Sequence, residues 1–468
     1  MMRCRACPGS SAGPTWPART ARFVRALSTR AARPDSEAGA WTAPGARALA
    51  MVALAALIQA TPTQATLTQA TPARTSRTWK APTRVAAAPS PPARQLNLTF
   101  RAPVSYRSWK LEADSSSTTV SQLHLPFTAS IGMGKNFDLV ISGGMGLSSL
   151  EPDSGRLLSL DGPTDVIAQA FLRGAGNRLL LQAGVNLPTG KRDLQADQLT
   201  VSRALAHPLL AFRLKQYGQG TDVNAGLAFA LPLASGVTFG VGAGRIFRGA
   251  YPLGDDMADF EPSAETAIST GLDVGRDDGT GPSARLDAVH RLYGTDRQGG
   301  ISVFEPGNQT ELQLAVRSGR GDNVGSQGVR VDVTGRLVWK ANDQFLSATT
   351  PGEPQATRPG TFSRFTAAAS FPLGSHLRAG LNTEWSGFTG GDMAGSKGSV
   401  SGTDGPIYGI NGSVYGGGPE LRIGLGRSGA FTMGGSYLLG TLDAKEAADR
   451  TDLSGFSAFC SLAWRTGP

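Results

Sequence analysis

The sequence predicts an all-β fold: a transmembrane antiparallel β-barrel of about 16 strands, with 14 as the alternative, preceded by a signal peptide and a disordered linker. Three observations predict it. Apolar residues recur with a period of two over runs of 10–14 residues, longer than the ~5–6 residues of a soluble strand and long enough for the ~9–11 of a tilted strand crossing a bilayer. Helical periodicity is nearly absent, with one candidate at 193–205 inside a longer connection. Short and long connections also alternate along the chain, as they do when tight turns lie on one side of a membrane and longer loops on the other.

The N-terminal part is read as export machinery. Ala48 to Ile58 form an eleven-residue apolar run preceded by Arg47 and followed by small residues. This is the size of a signal-peptide core and too short to span a bilayer as a helix. Residues 1–65 are therefore assigned to a signal peptide with an over-long start. For residues 1–47, rich in Arg, Pro and Ser, two readings stand: a start codon placed too far upstream, or a mitochondrial-type presequence around residues 23–30. The well-formed apolar core favours the first. Residues 66–95, rich in Thr, Ala, Pro and Arg, are predicted to be a disordered linker because they hold too little apolar surface to form a core. The barrel is assigned to residues 96–468.

Within the barrel the alternation is explicit. Leu179, Leu181, Ala183, Val185 and Leu187 are separated by Leu180, Gln182, Gly184 and Asn186; Leu337 and Trp339 alternate with Arg336, Val338 and Lys340. Successive strand side chains point to opposite faces, so each segment has an apolar and a polar face. Turns are predicted near Gly134-Lys135-Asn136, Gly174-Ala175-Gly176, Ala234-Ser235-Gly236, 276–281, 319–325, Leu373-Gly374-Ser375 and 427–429. Longer connections are predicted at 150–162, 188–220, 251–262, 294–307, 341–359, 389–404 and 442–452. Seven hairpins, closed by strands at 104–112 and 456–464, give 16 strands, with 208–217 as a possible extra one.

Strand-end aromatics are predicted to form an interfacial girdle: Trp109, Tyr251, Tyr293, Trp339, Trp385 and Trp464. The polar faces carry Arg178, Arg285, Asp287, Arg291, Glu311, Arg317, Arg330, Asp332, Arg336, Lys340, Arg378, Glu384 and Arg422. A charge on the lipid face at mid-depth costs ~2–4 kcal/mol, so these residues are expected to line the lumen. There they have two readings of equal weight: cross-strand ion pairs that stiffen the wall, or a water-filled passage with mild anion preference.

Composition excludes several classes. Of the +9 net charge, residues 1–95 carry 13 Lys+Arg against 2 Asp+Glu, leaving 32 against 34 for the rest. The body is thus near neutral, and nucleic acid is not an expected partner. The three cysteines, Cys4, Cys7 and Cys460, and the four scattered histidines supply no metal site and no disulfide framework. Residues 424–429 fit G-x-G-x-x-G but precede a strand rather than a helix, and 184–191 miss the P-loop spacing, so neither is read as a phosphate site. No catalytic set is assigned, and no cofactor or metal is expected. His124 and His290 are the residues on which a barrel-borne hydrolase would have to rest.

Two local resemblances follow. The end of 456–464 resembles the C-terminal recognition signal of outer-membrane barrels, which implies engagement with the barrel-assembly machinery; Arg465-Thr466-Gly467-Pro468 extend beyond the final aromatic. The rim segment Leu187, Pro188, Thr189, Gly190 and Lys191 ends a strand in L-P-T-G. It resembles the putative outer-membrane channels of the phenol-degradation meta-pathway, which are loosely similar to FadL-type transporters; Lys191-Arg192 stand where those proteins carry an acidic residue. The resemblance implies an outer-membrane channel or transporter for passive passage of small molecules, without chemistry of its own. Its expected partners are bacterial outer-membrane lipid and small-molecule solutes. The alternative is a structural or surface-interaction barrel with a plugged lumen.

Overall fold

The computed structural model describes residues 96–113, 116–153, 155–252, 258–275, 281–318, 328–346, 355–357, 360–390, 411–426, 428–443 and 450–466. The expectations for residues 1–95, for the turn at 319–325, and for most of the turn at 276–281 and of the connections at 341–359, 389–404 and 442–452 lie outside them. The wall strands run in chain order as β1 (Leu96–Ala113), β2 (Ser116–Met133), β3 (Phe137–Pro152), β4 (Leu158–Pro163), β5 (Val166–Gly174), β6 (Leu179–Leu187), β7 (Asp222–Ala234) and β8 (Val237–Phe247). They continue as β10 (Glu265–Gly275), β11 (Ser283–Tyr293), β14 (Gln309–Ser318), β15 (Arg330–Lys340), β18 (Thr361–Pro372), β19 (Leu377–Thr389), β20 (Asn411–Leu425), β21 (Gly429–Asp443) and β22 (Arg450–Arg465). Five short strands, β9 (Phe260–Glu261), β12 (Asp296–Gln298), β13 (Ile301–Glu305), β16 (Asp343–Phe345) and β17 (Gln355–Thr357), form a separate small sheet from three of the long connections. The one α-helix among the described residues, α1 (Ala196–Ala206), lies in the connection between β6 and β7.

Every wall strand pairs antiparallel with its sequence neighbour, and β22 pairs with β1 from Arg465↔Thr99 to Asp452↔Glu112. β4 and β5 both pair with β3 and together make one wall strand interrupted at Thr164-Asp165. The result is a closed 16-strand antiparallel barrel.

The 188–221 segment reveals which face is inside. It packs at once against residues of β1, β2, β3, β4, β20, β21 and β22, which only a segment within the barrel can do. On the opposite face, the residues most exposed are apolar: Leu181, Val223, Leu227, Phe229, Val241, Ile268, Leu286, Leu314, Phe365 and Leu381 are each more than a third exposed. A soluble sheet hides this face. A barrel in hydrocarbon turns it outward, with every backbone group paired in the closed ladder. A cation on this face, Arg245 near the long-loop end of β8, lies 5.0 Å over the Phe247 ring.

The strands differ in height around the wall. β1–β3 and β20–β22 have 15–18 residues, whereas β6–β19 have 9–13 in the wall. Eighteen residues rising ~3.3 Å each at ~40° tilt climb roughly 45 Å, well past the ~25 Å apolar band. The tall strands record this crossing in their sequence. In β1, Val104 and Tyr106 point outward, but two turns of the pleat further on the apolar residues are Trp109 and Leu111, which point inward, with Lys110 and Glu112 outside. β22 does the same: Phe456, Ala458, Cys460 and Leu462 face out, Leu453 faces in, and Arg450 and Asp452 are outside and exposed.

This change of phase corrects two expectations. Residues 150–162 are not a long connection: β3 and β4 run through most of the span, and β21 and β22 extend into 442–452 from its two ends. Their outward residues there (Glu151, Asp443, Asp452) are polar, so the stretch lost its membrane-strand signature while keeping its ladder. The first and last strands likewise extend beyond the predicted 104–112 and 456–464, to Leu96–Ala113 and Arg450–Arg465. Residues 208–217 are not a wall strand.

A direct check of the facing is a pair of adjacent substitutions. Leu181→Arg, on the outward face of β6, is expected to lower folding stability in lipid bilayers by ~2–4 kcal/mol. Gln182→Arg, facing the lumen, should cost much less. Equal losses would contradict the assignment of inside and outside.

Candidate functional site

The connection of 188–221 is drawn into the barrel. α1 begins with a capping box in which Gln195 and Gln198 satisfy each other's backbone N–H groups. The helix buries Val201, Ala204 and Leu205. Beyond it the chain alternates: Phe212, Leu214 and Tyr217 are buried, while Arg213, Lys215 and Gln216 are exposed. The buried set, with Leu209 and Leu210, sits on inward residues of the tall strands, among them Trp109, Leu111, Val120, Leu150, Leu160, Leu438 and Leu453.

Polar contacts fix the seat. Trp109 Nε1 donates to the Leu210 carbonyl at 2.8 Å, and Arg107 Nη1 donates to the same oxygen at 3.2 Å. The Gln122 amide pairs with the backbone of Leu214 as a neighbouring strand would, accepting from its N–H at 2.9 Å and donating to its carbonyl at 2.6 Å. The Tyr217 hydroxyl lies 2.7 Å from Ser148 Oγ, and its burial raises the phenol above the usual tyrosine value. Gly146 makes room for this: a Cβ there would stand 2.4 Å from Leu214 Cδ2.

Both ends of the segment are held by one carboxylate. At the break between β4 and β5, Asp165 accepts from the Gly190 N–H (2.7 Å), the Gln219 N–H (2.7 Å) and the Asn186 amide (2.9 Å). Thr189 Oγ1 accepts from the Val166 N–H at 2.9 Å and donates to the Thr164 carbonyl at 3.2 Å. Gly190 lies so close to the returning chain that a Cβ would meet the Tyr217 carbonyl oxygen at 2.1 Å. The rim residues Leu187, Pro188, Thr189, Gly190 and Lys191 therefore close the wall at the strand break, with Leu187 exposed outward and Lys191 lying over Gly162.

The inward charges form chains of ion pairs. Glu265 is held by Arg248 (2.9 Å) and Arg291 (3.2 Å), and Glu311 by Arg291 (2.8 Å) and Arg336 (2.7 Å). Glu384 on β19 is held by Arg364 on β18 and by Arg107 on β1 (3.0 Å), four strands away along the wall. Toward the short-turn end Asp332 binds Arg317 (2.9 Å) and Arg330 (2.6 Å), and Asp287 binds Arg285 (2.7 Å). Arg378 donates to the carbonyls of Gly328 (3.0 Å) and Ser370 (3.1 Å), and Arg422 lies near Glu420. Lys340 pairs with Asp343 at the long-loop end (2.7 Å), and Arg178 stands in the turn before β6, its carbonyl accepting from Ala230 N–H.

The six aromatic residues expected to share one girdle divide. Trp339, Trp385 and Trp464 are 40–45% exposed on the outward face. Trp109 is fully buried inside, against the inward segment. Tyr293 follows the inward register of Arg291, and Tyr251 is buried in the long-loop region, its hydroxyl accepting from Gln216 at 2.8 Å. The sequence placed all six by distance from a strand end, which does not encode the face. An outward aromatic row instead runs through Phe365, Trp385 and Tyr415 on adjacent strands, with Phe365 and Trp385 5.7 Å apart. His124 is buried on the inner face and His290 is on the outer one, 2.9 Å from Thr310 Oγ1, so the two share no site. Sequence reasoning missed Asp165, Arg107, Arg213, Lys215 and Arg364. Only the alternation across 208–217 signalled that this segment presents two faces.

No family model and no curated protein matches the chain. Solved structures similar to it include OccK11 (OpdR) of Pseudomonas aeruginosa (13% identity, 80% of this chain and 96% of that one, TM-score 0.36). The outer membrane protein OprD from Pseudomonas aeruginosa (11%, 80% and 94%, 0.34) and the CymD monoaromatic hydrocarbon channel (11%, 80% and 89%, 0.33) are also similar.

Removing the Asp165 clasp should free the inward segment. Asp165→Ala leaves three donors without their acceptor, a loss of about 2–3 kcal/mol to the docked state. Trypsin is then expected to cut folded barrels at Arg203, Arg213 or Lys215 several times faster than in the wild-type protein. Unchanged protection would show that the apolar seat alone holds the segment.

Proposed function

We propose that the chain is a bacterial outer-membrane channel that lets small molecules pass without transforming them. The observation that carries this reading is the inversion of exposure within the apolar band: there apolar side chains form the outer surface of a closed barrel, and the inner surface is polar and charged. The outer band needs hydrocarbon around it, and charges inside need water. In this reading the long connections face the exterior and the tight turns the periplasm. The inward charged residues named above line the passage, and the docked 188–221 segment narrows it from the side of the tall strands. The inner face of β8, which carries Gly240, Gly242 and Gly244, contributes almost no side-chain volume and leaves space on the other side.

The apolar seat favours a second reading, a barrel whose docked segment plugs the lumen and whose loops meet partners. Solute flux separates the two. Liposomes holding the protein should swell or empty in small-solute gradients, and deleting residues 193–216 should raise unit conductance several-fold. Impermeability of the intact protein with strong permeability of the deletion would favour the plugged barrel.

A further inference from the structure

We infer that the docked segment and the facing wall form an anion-selective constriction that recognises small carboxylates. This rests on the channel reading above and deepens it.

The argument is a balance of charges at one place. In the wall, Glu265, Glu311 and Glu384 are each already bracketed by two arginines: Arg248 and Arg291, Arg291 and Arg336, Arg364 and Arg107. Five arginines thus face three carboxylates, and the carboxylates have their strongest partners. The docked segment then adds two more cations on top. Its alternation puts Phe212, Leu214 and Tyr217 on the apolar seat and turns Arg213 and Lys215 away from it, exposed to the lumen. Arg213 comes within electrostatic range of Arg364 and Glu384, and the charged neighbour of Lys215 is Arg336. Neither forms an ion pair with a carboxylate among the described residues.

These seven cations outnumber the three glutamates and Asp222, which lies near Arg248, so the zone keeps a fixed positive excess carried by the wall and by the docked segment. Like charges so placed repel unless an anion lies between them, and in a narrow passage with low-dielectric walls they raise the local concentration of anions. Rings of fixed charge are what set ionic selectivity in pores. Guanidinium groups also match a carboxylate in shape, offering paired N–H donors to its two oxygens. Arg213, exposed on the segment, is placed to do this beside Arg107, whose own donors hold the Leu210 carbonyl and Glu384. Phe362 and Phe388, which pack against the edge of the apolar cluster on the same face as Arg364 and Glu384, give the zone an apolar border that suits the organic part of such a solute.

The test is electrical and uses the full-length protein in planar lipid bilayers. Under a tenfold potassium chloride gradient, the wild-type reversal potential is expected to show chloride passing several-fold more readily than potassium. Millimolar acetate should reduce the chloride current by competing for the zone, and inorganic phosphate should do so less. R213Q/K215Q should bring the permeability ratio close to one and abolish the acetate effect; R213E/K215E should reverse the preference. Folding of each variant is checked by its gel mobility before and after boiling. Conductance without anion preference, or a preference unchanged in folded variants, overturns the inference and leaves the channel reading intact. Phosphate competing as strongly as acetate overturns the carboxylate assignment. Complete absence of conductance in both wild type and loop deletion removes the channel reading and this inference with it.

Discussion

The closed ladder is the constraint on which everything else depends. In hydrocarbon no water is available to an unpaired N–H or C=O, so a sheet that enters it must have no edge. Pairing of β22 with β1 removes the last two edges. Closure then fixes the facing of every side chain, because the pleat alternates and register correlates neighbouring strands. The apolar set must be the outward one, which leaves the inner wall polar. Ion pairs such as Arg291–Glu311–Arg336, each partner on a different strand, are possible only because the register lines up inward-facing positions across β11, β14 and β15. The wall thereby pairs each of these glutamates with two arginines, and the two cations of the docked segment add to the positive excess that the wall already carries.

The tall half of the barrel shows how a second rule takes over outside the band. Above it, water bathes the outer surface, and apolar residues gain by facing inward, as in an ordinary β-protein. The six tall strands therefore change phase: Val104 and Tyr106 below, Trp109 and Leu111 above; Cys460 below, Leu453 above. An apolar inner wall open to water would be as unfavourable as a polar outer one in lipid. Covering it with Leu209, Leu210, Phe212 and Leu214 resolves the conflict, so the docked segment and the tall strands require one another. Trp109 is the centre of this arrangement, fully buried and hydrogen-bonded to the carbonyl it packs beside; truncating such a side chain commonly costs about 3–5 kcal/mol.

The sequence made the architecture legible because period-two alternation and turn chemistry are local signals. β6 is visible in Leu179 to Leu187 alone, and α1 in the interruption of that rhythm. What stayed hidden depends on contacts distant in sequence. Arg107 meets Glu384 across 277 positions, and Asp165 gathers groups from Asn186, Gly190 and Gln219; no spacing announces either. Inward charges on the strands, such as Arg291, Glu311 and Arg336, could be picked out because they alternate with apolar neighbours. Trp109 could not be assigned correctly by its place near a strand end, since the one-residue phase slip between Tyr106 and Trp109 decides its facing. That slip is present in the sequence, and it marks where each tall strand leaves the apolar band.

The break at Thr164-Asp165 links these features. Here the ladder with β3 shifts by one residue between β4 and β5, from Met145↔Pro163 to Ser142↔Ile167. The shift reverses which sequence parity faces inward, so Leu160 above and Gln169 below both point into the barrel although their numbers differ in parity. A straight strand could not satisfy an apolar inner wall above and a polar one below without such a slip in sequence or in backbone. The six tall strands make it in sequence, and this one makes it in the backbone. The backbone groups freed by the break are where Asp165, Thr189 and Gly190 engage, so the irregularity that reconciles the two environments also supplies the anchor that holds the docked segment inside the barrel.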